Sequence, residues 1–138
     1  MEMTVRFPGN KKVEAVFGGF TVSTDQPADA GGDGSAPAPF DLFLASLATC
    51  AGLFALSFCR KRGLPTEGLS LTQTATWDEK AHRVSKISIR IRPPKDFPEK
   101  YLDSLAAAAS LCTVKKHIVA PPEFEVTAEA PHASGAGA

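Results

Sequence analysis

The stretch PFDLFLASLATCAGLFALSFCRKRG, Pro39 to Gly63, decides how the rest of the chain is read. From Leu42 to Cys59 it runs 18 residues without a charge, the length of a membrane-span candidate. It also holds two of the chain's three cysteines. Small and polar residues interrupt it, among them Ser46, Thr49, Gly52 and Ser57. Its ends are charged as a helix prefers: Pro39 suits the first turn, Asp41 complements the N-terminal dipole, and Arg60, Lys61 and Arg62 crowd the last turn before Gly63. A helix apolar on all sides is either a span or the centre of a larger core. The amphipathic strands around it need a partner for their own apolar faces, which favours the core. For so small a domain, full burial of this helix calls for a second subunit.

Working outward, MTVRF and KKVEAVF flank Pro8-Gly9-Asn10, and GGFTVST follows, so the spacing predicts two or three short strands with a hairpin at Gly9-Asn10. Asp25 to Pro39 is a long loop rich in Gly, Pro, Ala and Asp, a kind that is often functional. Its Gly31-Gly32-Asp33-Gly34 lacks the Lys-Ser/Thr of a phosphate loop. Leu69–Trp77 and Val84–Ile91 alternate cleanly and predict an antiparallel hairpin. Asp96-Phe97-Pro98-Glu99 carries a helix-start signature before YLDSLAAAASL, and VKKHIVA predicts a second short helix ended by Pro121-Pro122. FEVTAE predicts a final strand. The fold class expected is α+β: one domain over residues 1–129, and a flexible tail over 130–138.

Fifteen Lys plus Arg balance fifteen Asp plus Glu, so no net field recruits nucleic acid or an anionic membrane. Met1 leads into an alternating stretch rather than a signal peptide, and three widely spaced cysteines do not make a disulfide framework. A cytoplasmic protein is expected. His82, His117 and His132 have no metal-ligand spacing with cysteine or carboxylate, and no metal or cofactor is expected.

Cys50 and Cys59 are nine residues apart, on opposite faces of a helix and about 13.5 Å apart along its axis, too far for a disulfide. Cys112 is then the only partner for either. The bland reading of each thiol is a small buried hydrophobe. Cys112 stands where one helix ends and the next begins, a position that stabilises a thiolate.

SAPAPFDLFLASLATCAG resembles the first cysteine motif of the OsmC/Ohr family, the osmotically inducible and organic hydroperoxide resistance proteins. SLCTVKKHIVAPPEFEV resembles the second. The order of elements also matches, from Met3 to Ala128. The resemblance implies an intertwined homodimer and a thiol peroxidase. Cys50 would be the residue attacking the peroxide and Cys112 the one resolving the sulfenic acid, with an external dithiol as reductant. Cys59 has no place in that scheme and is expected to be structural. Phe40, Phe43 and Phe54 are candidate walls of a pocket for an organic hydroperoxide.

One feature departs from the family. Its hydroperoxide-resistance branch carries a glutamate ten residues before the first cysteine, partnered by an arginine from the N-terminal strands. Here Phe40 occupies that place, leaving Asp41 and Arg6 as candidates to activate or orient the thiol. Two other classes therefore stand beside the peroxidase: a non-catalytic dimer binding a small apolar ligand at its interface, and a purely structural dimer.

Overall fold

A computed structural model describes residues 1–131. Three antiparallel strands open the chain: β1 (Thr4–Gly9), β2 (Lys12–Phe17) and β3 (Phe20–Thr24), in the order β1-β2-β3. The β2–β3 turn is Gly18-Gly19, both with positive φ (52° and 81°), as a two-residue hairpin matched to strand twist requires. Val5 stands opposite Ala15, and Ala15 opposite Val22, so one face of the sheet is apolar. Little of the chain covers it: Val5, Phe7 and Phe20 are exposed.

The long loop after β3 is more ordered than its composition suggests. It is wrapped around Asp25, the one fully buried acidic side chain among the described residues. The Asp25 carboxylate accepts hydrogen bonds from the Ser35 hydroxyl (2.7 Å) and from the N–H groups of Gln26 (2.7 Å), Ser35 (3.0 Å) and Asp33 (3.2 Å). The Asp25 N–H in turn donates to the Pro37 carbonyl at 3.2 Å, joining the end of β3 to the approach of the central helix. Gly32 is packed so closely that a Cβ there would lie 1.9 Å from the Gln26 carbonyl oxygen. Asp33 reaches back to Asn10 and pairs with Lys12, fastening the loop to the first hairpin.

Helix α1 (Pro39–Lys61) begins with Pro39 in its first turn, and the Asp41 carboxylate accepts the Ala38 N–H at 3.0 Å. Its buried residues, Leu47, Ala51, Ala55, Phe58 and Cys59, recur every three or four positions and form one stripe. At its end the Arg62 guanidinium lies 4.0 Å over the Phe58 ring. The hairpin of β4 (Ser70–Asp78) and β5 (Arg83–Arg92) follows, with Leu71 opposite Ile91 and Gln73 opposite Ile89. It lays that face against α1, where the Gln73 amide nitrogen donates to the Leu44 carbonyl at 2.9 Å. Helices α2 (Leu102–Ala109) and α3 (Thr113–Val119) pack on α1 from another side. Phe97, Leu105 and Ala109 close the core around the α1 stripe.

This is an α+β architecture in which the strand runs, the hairpin and the helix pair fall where the sequence places them. Two expectations, the final strand and the start of α2, need correction. The central helix, as expected, packs as a core helix although it meets the length and apolarity of a membrane span, here along one face only. Its other face, with Leu53, is open, because one chain supplies a single layer of cover. The final strand is absent: Glu123–Glu129 joins no sheet, and Phe124 and Val126 are 83% and 94% exposed. A strand exists only through its ladder partner, and no edge of either sheet meets this segment. Finally, α2 starts at Leu102 after a 3₁₀ turn (Glu99–Tyr101), with no side-chain cap at its N-terminus. Pro98 disfavours a helical conformation at Phe97, which is anchored in the core instead, after a turn closed by its N–H donating to the Pro94 carbonyl at 3.1 Å. The tail expected from residue 130 lies almost wholly outside the described residues, as does His132.

Candidate functional site: two cysteines between helices

Cys50 follows the buried Leu47 by three residues and precedes the buried Ala51 by one, so it sits at the border of the α1 stripe, half-buried. Cys112 arrives from a different direction. Helix α2 ends on the core residue Ala109, a short turn through Ser110 and Leu111 follows, and Cys112 takes the extended conformation of an N-cap (φ −46°, ψ 124°). Its thiol does what a capping Ser or Asp oxygen would do, accepting the Lys115 N–H at 3.4 Å. On its other side it approaches the Leu47 carbonyl of α1 at 4.0 Å. Cys112 is only 2% exposed.

The fold therefore brings the Cys50 and Cys112 thiols together, each within hydrogen-bonding influence of the other, with no disulfide between them. Their electrostatics are opposite. The Val114 N–H is the main influence holding the Cys50 thiol below the ordinary cysteine range; the Cys112 thiol and the Thr113 N–H add to it against the cost of burial. Burial is the main influence pushing Cys112 up, and the neighbouring Cys50 raises it further, against the Lys115 N–H. Of the two thiols, Cys50 is the more readily deprotonated. Cys59 is fully buried in the core, with its thiol pushed up by burial alone. It is a packing residue.

A cavity of about 600 Å³ lies beside the pair, between α1, β5, α2 and α3. Leu47, Ile89, Leu105 and Ile118 make its wall largely apolar, and Cys112 is part of that wall while Cys50 is not. Phe40 and Phe43 stack at 5.4 Å and line a second, shallower cavity of about 320 Å³ with Ile87 and Ile118. Phe54, half-buried on α1, lines neither.

The two other candidates are placed elsewhere. Asp41 is nine residues from Cys50, about 13.5 Å along the helix, and its carboxylate is engaged at the helix start. Arg6 lies on the exposed β1, opposite Glu14, and makes no ion pair among the described residues. The thiolate-stabilising donors are instead backbone N–H groups of Val114 and Thr113, which residue-type reasoning could not single out. Among the described residues no cluster of three or more His, Cys, Asp or Glu side chains could hold a metal.

Asp25 was also missed. Four hydrogen bonds, the Ser35 hydroxyl foremost, hold its carboxyl down to about 2. The available signal was an aspartate at a strand end followed by a glycine-rich, serine-bearing loop.

Fold and site together define an α+β protein with a paired-thiol centre between a long helix and a short one. The OsmC-like protein model matches residues 32–127, more than two thirds of the chain, and the chain belongs to that family. A candidate osmotic stress induced and detoxification response protein from Psychrobacter arcticus is similar in structure, with a TM-score of 0.71 and 26% identity over 83% of this chain and 85% of that one. An OsmC-like protein from Mycoplasma pneumoniae shares the fold at 14% identity, with a TM-score of 0.69 and 86% of each chain covered. So does a Legionella pneumophila protein described as organic hydroperoxide resistance protein OsmC, predicted redox protein, regulator of sulfide bond formation (TM-score 0.59, 20% identity, 85% of this chain and 87% of that one). No curated protein matches the chain in sequence.

Proposed function

We propose that the protein is a thiol-dependent peroxidase that reduces organic hydroperoxides in stress defence. Family membership and the names of the Psychrobacter and Legionella proteins support a stress-related redox role. The observation that carries the reading further is the asymmetry of the thiol pair: a half-buried Cys50 with a lowered pKa beside a buried Cys112 with a raised one.

The Cys50 thiolate attacks one oxygen of the O–O bond; that bond breaks, and the alkoxide leaves with a proton as the alcohol. Cys50 becomes a sulfenic acid, two electrons more oxidised. The Cys112 sulfur attacks the Cys50 sulfur, hydroxide departs with the Cys112 proton as water, and a disulfide forms. An external dithiol then reduces that disulfide and is itself oxidised, restoring both thiols. The apolar cavity suits the hydrocarbon part of an organic hydroperoxide. A homodimer accompanies this reading. The exposed apolar face of the N-terminal sheet, the open side of α1 and the unpaired Glu123–Glu129 segment are surfaces a second copy would cover. Cytoplasmic residence fits a thiol pair that must be returned to the reduced state.

The cavity also supports a second reading, a non-catalytic dimer holding a small apolar ligand. Single-turnover oxidation of the reduced protein by cumene hydroperoxide and by hydrogen peroxide separates the two, with Cys50→Ser and Cys112→Ser as controls. Rapid, organic-selective loss of two thiols with a Cys50–Cys112 bond mapped by mass spectrometry is expected. Thiols that oxidise no faster than free cysteine would leave the binding protein as the better account.

A further inference from the structure

We propose that closing the Cys50–Cys112 disulfide uncaps α3 and reshapes the wall of the 600 Å³ cavity, so that the oxidation state of the thiol pair sets what the cavity can hold. The inference rests on these two thiols being the redox pair. Reduced Cys112 has three simultaneous roles: its sulfur caps α3 by accepting the Lys115 N–H, it approaches the Leu47 carbonyl, and it forms part of the cavity wall. A disulfide fixes the sulfurs about 2.05 Å apart with a Cβ–S–S–Cβ dihedral near 90°, and so redirects this sulfur toward Cys50. It also removes the S–H that is directed at Leu47.

The accommodating movement falls on α3 because the two helices are unequally held. On α1, Leu47 and Ala51 flank Cys50 and are buried in the core, at 5% and 1% exposure. Helix α3 has seven residues and buries none. It lends Lys115 and Ile118 to the large cavity, and Ile118 to the smaller one as well. A shift of the whole short helix therefore moves part of the wall of both. In the reduced protein the cavity is shaped for the hydroperoxide. In the disulfide form the altered wall favours departure of the alcohol and lets the reducing dithiol approach.

The test forms the disulfide with diamide, a thiol oxidant that needs no peroxidase activity. Hydrogen exchange of the Lys115 amide and of the α3 peptide is then compared in the reduced and disulfide forms, together with binding of 1-anilinonaphthalene-8-sulfonate as an apolar probe. Loss of a typical N-cap predicts Lys115 exchange faster by about fivefold in the disulfide form. α1 should be unchanged, and the probe affinity should differ between the two forms. Cys50→Ser treated in the same way should show neither change. Equal α3 protection and equal probe binding in the two forms would overturn the inference. So would a Cys50–Cys112 bond that diamide cannot form. A diamide-formed disulfide that uncaps α3 in a protein inert toward hydroperoxides would sink the peroxidase reading alone.

Discussion

Replacing Thr113 by proline isolates one of the donors that favour the Cys50 thiolate. Position 113 is the first residue of α3, where proline is accommodated and the N–H has no intrahelical partner to lose. The residue before it, Cys112, already has ψ 124°, the conformation a following proline imposes. The Thr113 side chain is exposed, and its carbonyl, which His117 approaches at 2.8 Å, is retained in proline. The substitution thus removes one N–H and leaves the helix. A hydrogen bond to a charged group contributes about 1.5–3 kcal/mol. Because Thr113 is the lesser donor after Val114 and Cys112, the low end applies, about one pKa unit or tenfold in thiolate at neutral pH. A more basic thiolate is intrinsically about threefold more reactive per unit, with a Brønsted slope of about 0.4–0.5. Thr113→Pro should therefore react about threefold more slowly below the thiol pKa and about threefold faster above it. Alkylation of Cys50 by iodoacetamide across pH 5–10, followed on the Cys50 peptide, reads both limbs. A profile lowered equally at all pH values, or one unshifted, would refute the assignment of the Thr113 N–H as a thiolate donor.

Four further outcomes are expected. Gly32→Ala places a methyl group against the Gln26 carbonyl and should cost about 1–3 kcal/mol or more in urea unfolding, whereas Gly52→Ala, inside α1 with open space around it, should stabilise by about 0.5–1 kcal/mol. Asp25 has a folded-state pKa below its unfolded value, so its contribution is complete above about pH 4 and lost as pH falls through about 2; Asp25→Asn should flatten the acid limb of the stability curve in that window. Cys59→Ala should leave hydroperoxide chemistry intact while lowering stability by about 1 kcal/mol, and a larger loss of turnover than of stability would contradict its packing role. The Gln73 side-chain oxygen is buried without a partner, so Gln73→Leu should be neutral or stabilising by about 1 kcal/mol in thermal melts; a marked loss would show that the bond to Leu44 outweighs the orphaned oxygen.

Much of the fold was legible because the chain punctuates itself. Gly18-Gly19 and Pro93-Pro94 bound the strands, and charge at both ends of α1 marks its limits within a residue or two. The pairing of Cys50 with Cys112 was not legible from residues alone: it depends on α2 ending so that α3 begins against α1, a tertiary fact that entered through the family motif. What the sequence concealed was of two kinds. The donors to Cys50 are main-chain groups, which every residue carries. Asp25, inside a loop of low complexity, looks like any surface aspartate until four donors converge on it. FEVTAE failed as a strand for the converse reason: alternation records a capacity for pairing, and pairing needs an edge.

The three thiols stand at graded depths, and that gradation makes the chain its own stopwatch. Cys50 is reachable by small reagents in the folded state, Cys112 only when the α2–α3 junction opens, and Cys59 only when α1 leaves the core. Labelling times at the three sites therefore read native access, local opening and global unfolding within one molecule, without any added probe.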